Sequence, residues 1–179
     1  MDKLLTVVIP SYNVEKFLNQ TLDSFVCDEA VMKKFEVIVV DDGSKDNTAK
    51  IGKEYADKYT DTFRVISKEN GGHGSTINCG IRNAVGKYFK VVDGDDWVNT
   101  ADFVKLVEDL EKTESEYVFT NYYEYYDDVN RQKAVDFPQF KDGTEYDFAD
   151  VANKVYIPMH ALVIKTSVLK DNNIVIDEK

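Results

Sequence analysis

Asp93-Gly94-Asp95-Asp96 places three carboxyl groups within four residues, directly after an apolar run. At about 4 Å and an effective dielectric near 20, each like-charge pair costs roughly 4 kcal/mol. Such charge gathers cheaply only where a cation shares it, or where water solvates it as an acidic turn leading into a helix. Hard divalent ions take carboxylate oxygens. Mg2+ or Mn2+ uses one or two of them and completes its shell with substrate phosphates. Because the run follows a buried strand, a metal site is the favoured reading. The competing one is a solvated turn with Asp96 or Thr100 as helix cap.

Two further clusters occupy equivalent places. Asp41-Asp42-Gly43-Ser44 has the composition of an ordinary strand-to-helix turn. A carboxylate there could also accept hydrogen bonds from a base imide or a ribose hydroxyl. Tyr12, after the first apolar run, reads as a stacking partner for a base or as a half-buried rim residue. Asn70-Gly71-Gly72-His73-Gly74 would let backbone approach a ligand closely, with a helix N-terminus facing a phosphate. It matches neither GxGxxG nor the P-loop pattern. His73 reads as a solvated loop histidine, and His160, after Pro158-Met159, as a rim or packed residue. Cys27 and Cys79 form no CxxC pair and read as core fillers. Two His and two Cys do not suggest a zinc site. Tyr122, Tyr123, Tyr125 and Tyr126 are a packing cluster or a sugar platform.

The elements that must position these groups alternate. Leu4 to Ile9, Phe35 to Val40, Phe63 to Ile66, Tyr88 to Val92 and Glu116 to Thr120 are short apolar runs, as buried strands require. Between them lie helical patterns. One carries Val14, Phe17, Leu18, Leu22, Phe25 and Val26 on one face, with Asn13 as its cap. This rhythm predicts a mostly parallel α/β sheet with helices on both faces and right-handed crossovers. Ligands of such sheets bind beyond the C-terminal strand ends, so the clusters converge on one rim if their strands are neighbours. After about residue 121 the rhythm breaks. Residues 129–140 read as irregular and extended, Tyr146 to Val155 as a short helix, and Ala161 to Ile164 as a further strand.

The chain is 179 residues with a formal net charge of −11, a length of roughly one domain. That charge repels nucleic acid and anionic lipid unless a local basic patch intervenes. An anionic ligand would need a metal, a helix N-terminus or a few placed cations. No leader or membrane span is visible. Together with the sparse cysteines, this fits a cytoplasmic domain, peripheral to a membrane if part of a longer protein.

Four stretches in order, Val7-Val8-Ile9-Pro10-Ser11-Tyr12-Asn13, Val39 to Thr48, Asn78-Cys79-Gly80-Ile81 with Gly86-Lys87-Tyr88, and Val92 to Trp97, closely resemble family 2 glycosyltransferases of the GT-A fold. The resemblance covers residues 4 to about 110. Residues 121–179 resemble the family's acceptor-side half only loosely. It implies a Rossmann-like GT-A domain with a nucleotide-sugar-binding half, 1–120, and a partial acceptor-side half, 121–179. It also implies inverting transfer from a nucleotide-diphosphate sugar, UDP-linked, to a glycan or lipid-linked acceptor, with Mn2+ or Mg2+. By position, Pro10, Tyr12 and Asp42 would hold the nucleotide, Asp42 on the base, and Asn70 and Gly71 would border base and ribose. Asp93 and Asp95 match the DxD motif for ribose and metal-diphosphate, and Asp96 could share the metal. The family's base usually follows a segment like Ala161 to Lys165 and Ile174 to Glu178, which places it beyond Lys179. Asp177 and Glu178 are candidates by proximity alone.

Two other classes remain to be separated. A sugar-phosphate nucleotidylyltransferase would carry a Gly-rich, cationic loop where this chain has Ser11-Tyr12-Asn13, and would release pyrophosphate. A flavodoxin-like regulatory module would share the acidic strand ends but not the glycine loop, and would accept a phosphoryl group.

Overall fold

Two apolar runs, β1 (Leu5–Ser11) and β2 (Phe35–Asp41), are buried along their whole length. They pair in parallel, from Leu5 opposite Phe35 to Ser11 opposite Asp41. The computed structural model describes residues 3–126, 131–151 and 155–178. β3 (Phe63–Ser67) extends the sheet beyond β2, and β4 (Tyr88–Val91) lies on the other side of β1, both parallel. The next neighbour of β4 comes from far along the chain: β8 (Leu162–Lys165), antiparallel to it. β5 (Tyr117–Phe119) closes the sheet against β8, giving the order β3-β2-β1-β4-β8-β5. A one-turn 3₁₀ helix, Met159–Ala161, precedes β8 and starts it at the C-terminal end of β4.

Alternation of side chains along each strand builds two cores. Leu5, Val7 and Ile9 face one side with Phe35, Val37, Val39, Tyr88 and Val163. There they meet α1 (Leu18–Asp23), α3 (Thr48–Lys58) and α5 (Thr100–Leu110) through Leu22, Ile51, Phe103 and Val107. Val8, Ile38, Val40, Phe89 and Val91 face the other, where α4 (His73–Asn83) and α7 (Thr166–Asp171) supply Ile77, Ile81 and Leu169. The α/β architecture with helices on both faces is as the periodicity predicts.

Several local readings change. Asn13 does not cap a long helix; it takes a left-handed φ of 54°. The chain turns through residues 14–17, and α1 begins only at Leu18, after Phe17, with no side-chain cap. A short α2 (Glu29–Met32), capped by Asp28, was not foreseen. The cap of α5 is Asn99, whose side chain accepts from Ala101 and Asp102, rather than Asp96 or Thr100. In place of an irregular stretch, β6 (Tyr122–Tyr126) and β7 (Arg131–Val135) form an antiparallel pair. Of the helix read at Tyr146 to Val155, α6 (Phe148–Val151) is present; residues 152–154, like 129 and 130, lie outside the described residues.

Phe103 holds the larger core together. Its ring meets Phe25 at 5.0 Å and Phe35 at 5.1 Å, both edge to face. Phe103→Ala should cost about 3–5 kcal/mol, read as a lowered urea midpoint with little change in slope.

Candidate functional site

β1 lies between β2 and β4, so the three polar strand ends stand side by side. The Asp42 amide donates to the Ser11 carbonyl at 2.9 Å, and the Gly94 amide donates to the Pro10 carbonyl at 3.2 Å. The acidic turn can close on β1 only because residue 94 has no side chain. A Cβ there would sit 2.9 Å from Val14 Cγ2, 3.0 Å from the Pro10 carbonyl and 3.1 Å from Ser11 Oγ. The Thr21 hydroxyl donates to the Gly94 carbonyl at 3.0 Å and ties the turn to α1.

Asp93 is half-buried and accepts from His73 Nε2 at 2.7 Å. An ionised Asp93 can only accept, so the contact requires a proton on His73 Nε2. Asp95 and Asp96 are exposed. Desolvation first, then the charges of Asp93 and Asp95, raise the Asp96 carboxyl above the usual carboxylate range, with His160 opposing. Among the described residues no salt bridge from Lys or Arg reaches this run. Nor do three His, Cys, Asp or Glu side chains there converge well enough to hold a metal ion alone.

Asp42 is only 2% exposed, and its carboxylate is fully engaged. Oδ1 accepts from Lys68 Nζ at 2.6 Å and from the Gly71 amide at 3.0 Å, while Oδ2 accepts from the Gly72 amide at 2.8 Å. Burial would raise its pKa. The hydrogen bonds from Lys68, Gly71 and Gly72 and the Lys68 charge outweigh burial and hold it below the carboxylate range. Lys68 also donates to Ser75 Oγ at 2.8 Å. The glycine loop is thus fastened to the end of β2, beside Asn70 and Gly71. Asp41 serves its own turn, accepting from the Ser44 amide at 3.0 Å.

The first strand-end loop is braced by the second. Asn13, Val14 and Glu15 donate their amides to Ser44 Oγ, Thr48 Oγ1 and Asp46 Oδ2 at 3.0, 2.9 and 3.1 Å. Asn13 Oδ1 accepts in return from the Lys45 amide at 2.8 Å. This exchange leaves Tyr12 50% exposed at the rim.

On the far side of β4, His160 packs edge to face on Tyr122 at 4.6 Å, and Trp97 on Tyr125 at 5.3 Å. Beneath them Lys90 is buried in the sheet and donates to the His160 carbonyl. Desolvation pushes its pKa down to about 8. The sequence reading missed Lys68 and Lys90. Each carried a signal: a lysine just ahead of the glycine loop, and a charge inside the apolar run Tyr88 to Val92. Asp177 and Glu178 lie along α4, with the Glu178 carboxylate accepting from Asn78 at 2.9 Å.

A family model described as "Glycosyl transferase family 2" matches residues 6–172. The protein named "Uncharacterized glycosyltransferase EpsJ" of Bacillus subtilis (strain 168) is 37% identical over 123 residues, which is 69% of this chain and 35% of that protein. The crystal structure of S. aureus TarS 1-349 aligns with a TM-score of 0.81 at 27% identity, covering 98% of this chain and 51% of that one. The same S. aureus protein in complex with UDP aligns at 0.72 and 25% identity, over 98% and 50%. The chain therefore spans about a third of that curated relative and about half of those solved chains.

Two predictions test the site's electrostatics. Asp42 is depressed in the fold, so its stabilisation is complete above the ordinary carboxylate pKa and is lost as pH falls through its folded value. Asp42→Asn should cost roughly 1–3 kcal/mol at pH 7, and the gap in urea-unfolding free energy should shrink by about pH 3. For Lys90 the cost of burying its charge is complete below about 8 and relieved between there and the unfolded value of 10.5. Lys90→Met should therefore stabilise the protein at pH 7, by up to about 3 kcal/mol. Melting temperatures should converge with wild type near pH 10.

Proposed function

The chain belongs to glycosyl transferase family 2, and from that premise we propose that its rim binds a nucleoside-diphosphate sugar, UDP-linked. Within the whole protein this donor passes its sugar, with inversion, to a hydroxyl of a glycan or lipid-linked acceptor. The observation that carries this reading is the juxtaposition across β1 of the acidic turn and the Asp42-held glycine loop, joined by the His73–Asp93 hydrogen bond. The UDP complex of the S. aureus relative supports the choice of nucleotide.

Residues 1–120 form the donor half in this reading, and residues 121–179 contribute part of the acceptor side. Tyr12 offers an aromatic face to the base, and Pro10 sets the depth of the pocket by holding Gly94. Asn70 and Gly71 border base and ribose. Asp42 acts through that loop, because a direct bond to the base would have to displace Lys68 or a glycine amide. Asp93 is shared between the ribose side and the metal.

The acidic turn fits a hard cation. Its carboxylates are hard oxygen donors, no lysine or arginine salt bridge reaches them among the described residues, and Asp95 is exposed. Asp95, Asp93 and Asp96 would hold Mn2+ or Mg2+, with phosphate oxygens supplying the donors the protein lacks. When bound, the cation stabilises the charge that builds on the departing diphosphate. Inversion also requires in-line attack and a base for the acceptor proton.

Titration calorimetry tests this directly. UDP should bind in the presence of Mn2+ and lose its affinity in excess EDTA. Asp95→Ala should abolish the metal dependence together with most of the affinity. Equal affinity with and without EDTA would overturn the metal-dependent reading.

A further inference from the structure

Residues 174–178 leave α7 and run back along α4 without entering a helix or strand. The turn is made by Asn173, at a φ of 52°, and by the Ile174 amide, which donates to the Leu169 carbonyl at 2.9 Å. Hydrophobic burial holds this strap only in part, since Val175 is 73% exposed and Ile174 and Ile176 are partly exposed. Hydrogen bonds hold it. Asn78, buried in the middle of α4, turns its amide to the strap. Oδ1 accepts from the Ile176 amide at 2.8 Å, while Nδ2 donates to the Ile176 carbonyl and to Glu178 Oε1, both at 2.9 Å. A single side-chain amide thus pairs with one residue's N–H and C=O, as a neighbouring strand would.

One helical turn earlier, Gly74 completes the contact. A Cβ on Gly74 would fall 1.9 Å from the Asp177 carbonyl oxygen, and one on Gly72 would fall 3.0 Å from the Glu178 carbonyl oxygen. No alanine fits at 74 while the strap is seated. The strap therefore lies directly on the first turn of α4. That turn carries His73, the partner of Asp93, and follows Gly71 and Gly72, the partners of Asp42.

We propose that Asn78 and Gly74 form a clasp that seats residues 174–178 as one wall of the nucleotide-diphosphate site. Asn78 acts as a positioning residue: it touches no donor atom and sets the place of the strap beside His73 and the glycine loop. This rests on the donor-site reading above. The seated strap confines the first turn of α4, so a nucleotide bound at the glycine loop tightens the strap, and a released strap loosens the nucleotide.

Hydrogen exchange and calorimetry on the 179-residue chain test both halves. In wild type, the amides of 174–178 should exchange slowly without ligand, and more slowly with UDP and Mn2+. Asn78→Asp keeps the shape but turns an acceptor toward the Ile176 carbonyl and the Glu178 carboxylate. It should speed strap exchange about tenfold and weaken UDP–Mn2+ binding by about the same factor, with exchange in β1 to β4 unchanged. Ile176→Pro removes the donor from the strap's side, leaves α4 intact, and should do the same. Free exchange of the wild-type strap without ligand would refute the clasp. Unchanged UDP affinity in variants whose strap has opened would refute the wall. If wild type binds no UDP at all, the donor-site reading falls and takes the wall with it, while ligand-free exchange still decides the clasp.

Discussion

A carboxylate withdrawn from water must be matched by donors, and Asp42 is where this fold meets that demand. An unpaired buried charge would cost several kcal/mol. Here the ammonium of Lys68 and the amides of Gly71 and Gly72 surround it. Those donors belong to the end of β3 and the entry to α4, so satisfying one side chain fixes three segments at once. With the glycine loop fixed, His73 can reach Asp93. With Gly94 pressed on Pro10, Asp93 is where His73 can meet it. The rim is thus a closed circuit of backbone and charged hydrogen bonds over β1, not three loops that happen to be near one another.

The two ends of this circuit differ in charge balance. At Asp42 the negative charge is neutralised internally, and its pKa falls. At Asp96 desolvation first, and then the charges of Asp93 and Asp95, push the pKa up. The nearest buried cation on that side, Lys90, is spent on the His160 carbonyl and lies inside the sheet. Among the described residues no lysine or arginine salt bridge reaches the acidic turn; His73 is hydrogen-bonded to Asp93, and His160 opposes the rise at Asp96. One carboxylate therefore behaves as a structural fastener, while the acidic turn has no lysine or arginine partner among the described residues.

How much of this was legible depended on whether a feature is local. Buried strands read clearly because Leu5–Ser11 and Phe35–Asp41 are apolar on both faces. The convergence of the clusters at Pro10, Asp42 and Asp95 on one rim was expected if their strands are neighbours, and β2, β1 and β4 are. The insertion of β8 between β4 and β5 was hidden, because no sequence period records which distant strand fills a gap. Asn13 looked like a helix cap because asparagine often is one. Its side-chain Oδ1 instead accepts from the Lys45 amide, some thirty residues away, and its backbone is left-handed. Asp42 read as a ligand for the base, and sequence does not show that Gly71, Gly72 and Lys68 also donate to it.

The glycine loop shows the same limit from the other direction. Read alone, Gly71-Gly72-His73-Gly74 suggests backbone bared for a phosphate. In the fold the bareness of Gly74 is used by the chain's own strap, whose Asp177 carbonyl occupies the space a side chain would need. A small residue at a helix entry thus marks a close approach without naming what approaches. The strap abuts Gly72 and Gly74, and Asp42 fastens Gly71 and Gly72, so both act on the entry to α4. That entry is therefore held between the Asp42 circuit and the strap that returns from α7, two parts of the chain about a hundred residues apart.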